Sequence, residues 1–130
     1  MKPALILAAA LLAAPAFAGD TSPQALLDAY SAEAGATPVP ENGKALFLAT
    51  PGTGKPDTPS CTTCHTADPS AIGQARTGKP IEPLAPSANP LRFTDTAFVE
   101  KWFTRNCSSV LGRECTAGEK ADVIAWLMTL

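Results

Sequence analysis

The chain has 130 residues, 10 basic against 12 acidic side chains, a formal net charge of −2 with its one histidine neutral, and 45% hydrophobic residues. A slightly acidic balance argues against nucleic acid as a partner, because bulk positive charge drives that binding. The length leaves room for one small domain.

Residues 1–18 read as an export signal. Lys2 supplies a positive start, "ALILAAALLAA" an apolar stretch, and Ala16-Phe17-Ala18 a small-x-small cleavage site. The apolar run is too short to span a bilayer and no stop-transfer pattern follows it. Cleavage leaves a single domain, residues 19–130, in which 9 basic and 12 acidic residues give a net −3. All four cysteines lie in this exported part, which points to an oxidising compartment, a bacterial periplasm. No later segment is apolar enough to cross a membrane.

Ser22-Pro23 opens a first helix, a serine N-cap followed by proline at the first helical position. Leu26, Leu27 and Tyr30 form its apolar stripe, and Gly35 ends it. After the spacer "TPVPEN", a second helix is predicted from about Glu41 to Ala49. Thr50 to Ser60, "TPGTGKPDTPS", is a loop, and eight of the chain's 13 prolines fall between Thr50 and Arg92. From Ala67 to Pro90 turn signals recur without a sustained period. A third helix starts near Thr94 or Asp95, carries Phe98, Val99, Trp102 and Phe103 on one side, and is expected to stop around Arg105 or Asn106. The last helix opens with a capping box, Thr116 to Glu119, and buries Ala121, Ile124, Ala125, Leu127 and Met128. The expected fold class is all-α, about four helices with long irregular loops. So small a domain needs a prosthetic group as core, or crosslinks.

"CTTCH", Cys61 to His65, is the attachment signature of a c-type haem. Two thiols add to the haem vinyl groups as thioethers, and the histidine after the second cysteine becomes the iron's proximal ligand. A zinc site would need Cys61, Cys64, Cys107 and Cys115 together. A thioredoxin-like pair would need a βαβ pattern that is absent, and a plain disulfide would leave His65 without a role. One covalently attached haem c, held by Cys61, Cys64 and His65, is therefore the expected cofactor. It gives Phe47, Phe93, Phe98, Trp102, Phe103 and Trp126 a flat apolar body to pack on, though ordinary helix packing serves each equally well.

The group opposite His65 is less plain. A second histidine does not exist, and Met128 sits in the apolar face of the last helix. Lys79 or Lys101 would coordinate only when deprotonated. Cys107 and Cys115 offer a thiolate or, more economically in an oxidising compartment, a disulfide whose nine-residue loop is worth on the order of 2–3 kcal/mol. Asn106 reads either as an αL helix cap or as a ligand. Arg76, Lys79 and Arg92 are candidates to neutralise the haem propionates, or plain exposed basic residues. Thr104, Arg105, Ser108 and Ser109 flank Asn106, ready to polarise a bound diatomic or simply solvated.

"CTTCH", "ARTGKPIEPLAPS", "NPLRFTD", "VEKW", "RNC…VLGREC" and "TAGEKAD" together resemble the sphaeroides haem protein family, oxygen-binding, high-spin class I cytochromes c. The resemblance runs from Gly19 to the end. It implies a class I cytochrome c fold with Gly43 to Phe47 on the helix that crosses the C-terminal one. It implies His65 as proximal ligand, Asn106 as distal ligand and a Cys107–Cys115 disulfide. It also implies transient binding of oxygen or nitric oxide when reduced, with a dihaem cytochrome c as electron donor. Competing readings are an electron shuttle with a permanent sixth ligand, and a weak haem oxidoreductase (peroxidase or nitric oxide dioxygenase), for which the usual distal histidine is missing.

Overall fold

The structure, a computed structural model, describes residues 19–130. The export signal expected over 1–18 lies outside the described residues. Helix α1 spans Pro23–Ala34, capped by the Ser22 hydroxyl accepting from the Ala25 N–H at 3.1 Å and closed by Gly35 in the left-handed conformation. Helix α2 spans Pro40–Leu48 with proline in its first turn. A single turn, α3, covers Thr62–His65, a fifth helix beyond the four expected. Helix α4 spans Thr96–Leu111 and α5 spans Ala117–Leu127, the latter with both hydrogen bonds of its capping box. Two short strands, β1 (Gly73–Gln74) and β2 (Pro80–Ile81), pair antiparallel with Gly73 opposite Ile81. They are the stem of one tight turn inside an all-α architecture.

Helix α4 continues past the expected stop at Asn106. Nothing in "NCSSVL" breaks a helix, and Cys107, Val110 and Leu111 are buried, so packing carries the helix on. It ends at Gly112, whose φ of 70° suits glycine and whose missing Cβ leaves room for the Thr53 carbonyl.

Helices α1 and α2 both pack on α5. Gly43 of α2 lies against the Asp122 backbone so closely that a Cβ would overlap it. The Val39 N–H at the head of α2 donates to the Asp122 carboxylate at 2.6 Å, which fixes the crossing from the side. Leu26, Tyr30, Phe47, Ile124, Trp126 and Leu127 form the heart of the main core. Met128, expected in that core, caps α5 instead and is 38% exposed, because the helix ends one residue before it. Among the described residues no helix is long and apolar enough to cross a membrane.

Candidate functional site

The α3 turn exists to group three side chains. The His65 N–H donates to the Cys61 carbonyl at 3.1 Å and the Thr66 N–H to that of Thr62 at 3.0 Å. Positions i, i+3 and i+4 of one helical turn share a face, so Cys61, Cys64 and His65 converge. Ser60 anchors the turn: its hydroxyl accepts from the Thr62 N–H at 3.3 Å and donates to the buried Phe47 carbonyl at 3.4 Å. Beyond the turn, β1 passes so close beneath it that a Cβ on Gly73 would strike the Cys64 carbonyl.

The three side chains open into an apolar cleft of about 1000 Å³ measured out to its solvent mouth. Helix α4 supplies one wall with Phe98, Trp102, Phe103 and Asn106; Leu46, Phe47, Leu84 and Phe93 line it from α2 and the middle loops. Trp126, by contrast, packs on Phe47 with ring centroids 5.1 Å apart and does not line the cleft. Phe93 reaches the cleft from a backbone with φ of 63°, a conformation that a bulky residue holds only when burial outweighs the strain.

Cys107 and Cys115 are joined, Cα atoms 5.5 Å apart, whereas Cys61 and Cys64 are free thiols. The bridge removes the four-cysteine zinc site and the distal thiolate from consideration. Burial pushes the Cys61 thiol up to about 11. It pulls His65 down to about 4, assisted by the positive charge of Arg92, so the imidazole is neutral and its lone pair free for a metal.

Asn106 stands in the third turn of α4, so it is no helix cap; Gly112 has that role. Its carboxamide lines the cleft and makes no hydrogen bond to any other described residue. The flanking polar residues separate. Ser109 lines the cleft, its hydroxyl 2.6 Å from that of Thr58, while Thr104, Arg105 and Ser108 do not. Arg105 lies over the Trp102 ring, 5.6 Å from its centroid.

Among the described residues one charged side chain lines the cleft, Arg92, which donates through Nε to the Pro83 carbonyl at 2.9 Å and through Nη2 to that of Glu82 at 2.6 Å. Arg76 is turned outward to Asp57, and Lys79 is exposed. Sequence reasoning weighed these three cations equally. The hint that separates them is local: Arg92 is carried inward by its neighbour Phe93, an apolar residue between polar ones in "RFTD".

A haem fits these residues. Two thiols remain unpaired in a chain whose other two cysteines are bridged, and a neutral imidazole stands one residue beyond them. The walls are broad, aromatic and apolar, and the single lining charge is positive, matched to a group that brings two carboxylates.

Comparison with known proteins agrees. The family described as Domain of unknown function (DUF1924) matches residues 33–127. The cytochrome c-type protein SHP of Cereibacter sphaeroides is 64% identical over 122 residues, 94% of this chain and 95% of that protein. The solved structure of oxidised SHP, an oxygen-binding cytochrome c, superposes with a TM-score of 0.83 over 86% of this chain and all of that one, at 64% identity. The solution structure of cytochrome c'' from Methylophilus methylotrophus, studied for haem-ligand detachment, matches with a TM-score of 0.68 at 36% identity over 83% of this chain and 93% of that one.

Proposed function

Because the chain belongs to the family of the cytochrome c-type protein SHP, and so carries a covalently bound haem c, we propose that it is a periplasmic monohaem cytochrome which accepts an electron and, once reduced, opens a position for oxygen or nitric oxide. When bound, the haem would supply one-electron chemistry and an iron able to take a small ligand. Cys61 and Cys64 would hold it through thioether bonds at Sγ, His65 would offer its imidazole nitrogen and Asn106 its carboxamide oxygen to the iron, and Arg92 would face the carboxylates. A dihaem cytochrome c is the proposed electron donor, on the strength of the family resemblance.

An amide oxygen is a hard, neutral donor and suits ferric iron better than ferrous. Asn106 would therefore be held by an oxidised iron and be free to turn aside once that iron is reduced. The backbone beneath it is poorly placed to follow, because Cys107, the next residue, is buried and bridged to Cys115. A side-chain rotation is enough. The observation that carries this reading is the unpartnered Asn106 carboxamide in the cleft that His65 also lines. Oxygen binding by SHP and ligand detachment in cytochrome c'' support it.

The deciding measurement is the absorption spectrum of the holoprotein, oxidised and then reduced, with and without carbon monoxide. A high-spin ferrous spectrum with rapid carbon monoxide uptake is expected. A low-spin ferrous form indifferent to carbon monoxide would make the protein an electron shuttle with a permanent sixth ligand.

A further inference from the structure

The two halves of the α4 wall differ in exposure. On the C-terminal side of Asn106, Cys107, Val110 and Leu111 are all buried, and the Thr53–Gly54 loop closes over them, the Thr53 hydroxyl donating to the Leu111 carbonyl at 2.8 Å. On the N-terminal side, one and two turns back on the same face, Trp102 and Phe98 line the cleft yet remain 39% and 47% exposed. The open lip of the cleft therefore lies on the Trp102 side. Helical side chains lean towards the N-terminus, so the surface that Asn106 covers lies over the turn carrying Trp102. A small molecule that enters over this less buried end of the wall meets the indole one turn before Asn106.

The ring is held at this lip. Phe98 packs beside it, ring centroids 6.0 Å apart at 59°. Lys101 Nζ and the Arg105 guanidinium carbon each stand 5.6 Å from its centroid. Neither cation is in an ion pair with a carboxylate among the described residues. Cations over an aromatic face restrain it, and here they come from the residue before the ring and from the next turn.

We infer that Trp102, restrained by Lys101 and Arg105, is the gate of the distal position and sets the size of ligand admitted. This rests on the proposed function, since it assumes that Asn106 yields to an external ligand. A gate of this kind passes a diatomic along the edge of the indole and rejects a branched molecule. The walls behind it, Phe103 and Val99, are packed into the core and cannot recede to make room.

The test uses ferrous holoprotein with two probes, carbon monoxide and tert-butyl isocyanide, each titrated and followed by stopped flow. The wild type is expected to take carbon monoxide and to bind the isocyanide weakly and slowly. Trp102→Ala should raise isocyanide affinity by at least about tenfold relative to carbon monoxide, the scale on which a shaped apolar pocket discriminates. Lys101→Gln/Arg105→Gln should shift the ratio the same way by a smaller factor, with the thermal melt unchanged. Trp102→Leu serves the same end should the alanine variant fold poorly. An isocyanide-to-carbon monoxide ratio unmoved in both Trp102 variants overturns the gate while leaving the proposed function intact. A wild type that takes up neither probe overturns both.

Discussion

An asparagine inside a helix has two ordinary outlets, solvent or the carbonyl a turn back. Asn106 faces the open cleft, with no hydrogen-bond partner among the described residues. Arg92 is the contrasting case, a cation carried into the same apolar cleft but steadied by two carbonyls. A positive charge there disfavours the more positive oxidised iron. Arg92→Gln should therefore lower the reduction potential by about 1–2 kcal/mol, or tens of millivolts, for a charge about 10 Å away at an effective dielectric constant of about 20. Spectroelectrochemical titration of the variant checks this, and an unchanged potential would place the guanidinium too far from the cofactor to matter. The haem motif was fully legible in the sequence, because the chemistry demands Cys61, Cys64 and His65 in one turn. Arg92 was less so, because whether a loop cation points in or out is decided by the partners it finds across the loop, here the Pro83 and Glu82 carbonyls nine and ten residues away.

At the level of helices, starts were legible and one end was not. Ser22-Pro23 and the Thr116–Glu119 box each satisfy orphan N–H groups with their own side chains, so they mark α1 and α5 from local chemistry alone. Asn106 carries equally good local credentials as a terminator, yet α4 runs on for five more residues to Leu111 because Val110 and Leu111 find a buried partner surface. Tertiary burial outweighed a cap signal. That extra length brings Cys107 within reach of Cys115 across the turn into α5. Replacing both cysteines by serine should cost about 2–3 kcal/mol from loop-closure entropy. Urea unfolding of the oxidised holoprotein measures it, and a loss below about 1 kcal/mol would mean that capping and packing already fix this corner without the crosslink.

For the molecule as a whole, two carboxylates are expected to set the acid limit, Glu100 of α4 held by side chains of α1 and α5, and Glu119 of α5 held by the turn that precedes it. The Arg113 guanidinium grips Glu119 through two hydrogen bonds, of 2.8 and 2.7 Å, and holds its carboxyl below the ordinary value. Burial alone would raise Glu100, but hydrogen bonds from Lys120 at 2.8 Å and from Tyr30 outweigh it, and its carboxyl too lies low. A carboxyl depressed in the folded state stabilises the fold above its unfolded value, and that contribution is lost as pH falls through the folded one. Denaturant midpoints should hold steady from about pH 7 to about pH 5 and fall below about pH 4.5, the ordinary carboxylate value. Glu100→Gln/Glu119→Gln should be less stable at neutral pH and show a shallower acid decline. A decline as steep as the wild type's would assign the acid limit to other groups.

Gly73 sets a floor. The strand there lies directly against the Cys64 carbonyl and the His65 backbone, so any side chain at this position would lift the turn whose thiols face the cleft. A residue with no chemistry of its own thus guards the height at which the attachment motif stands.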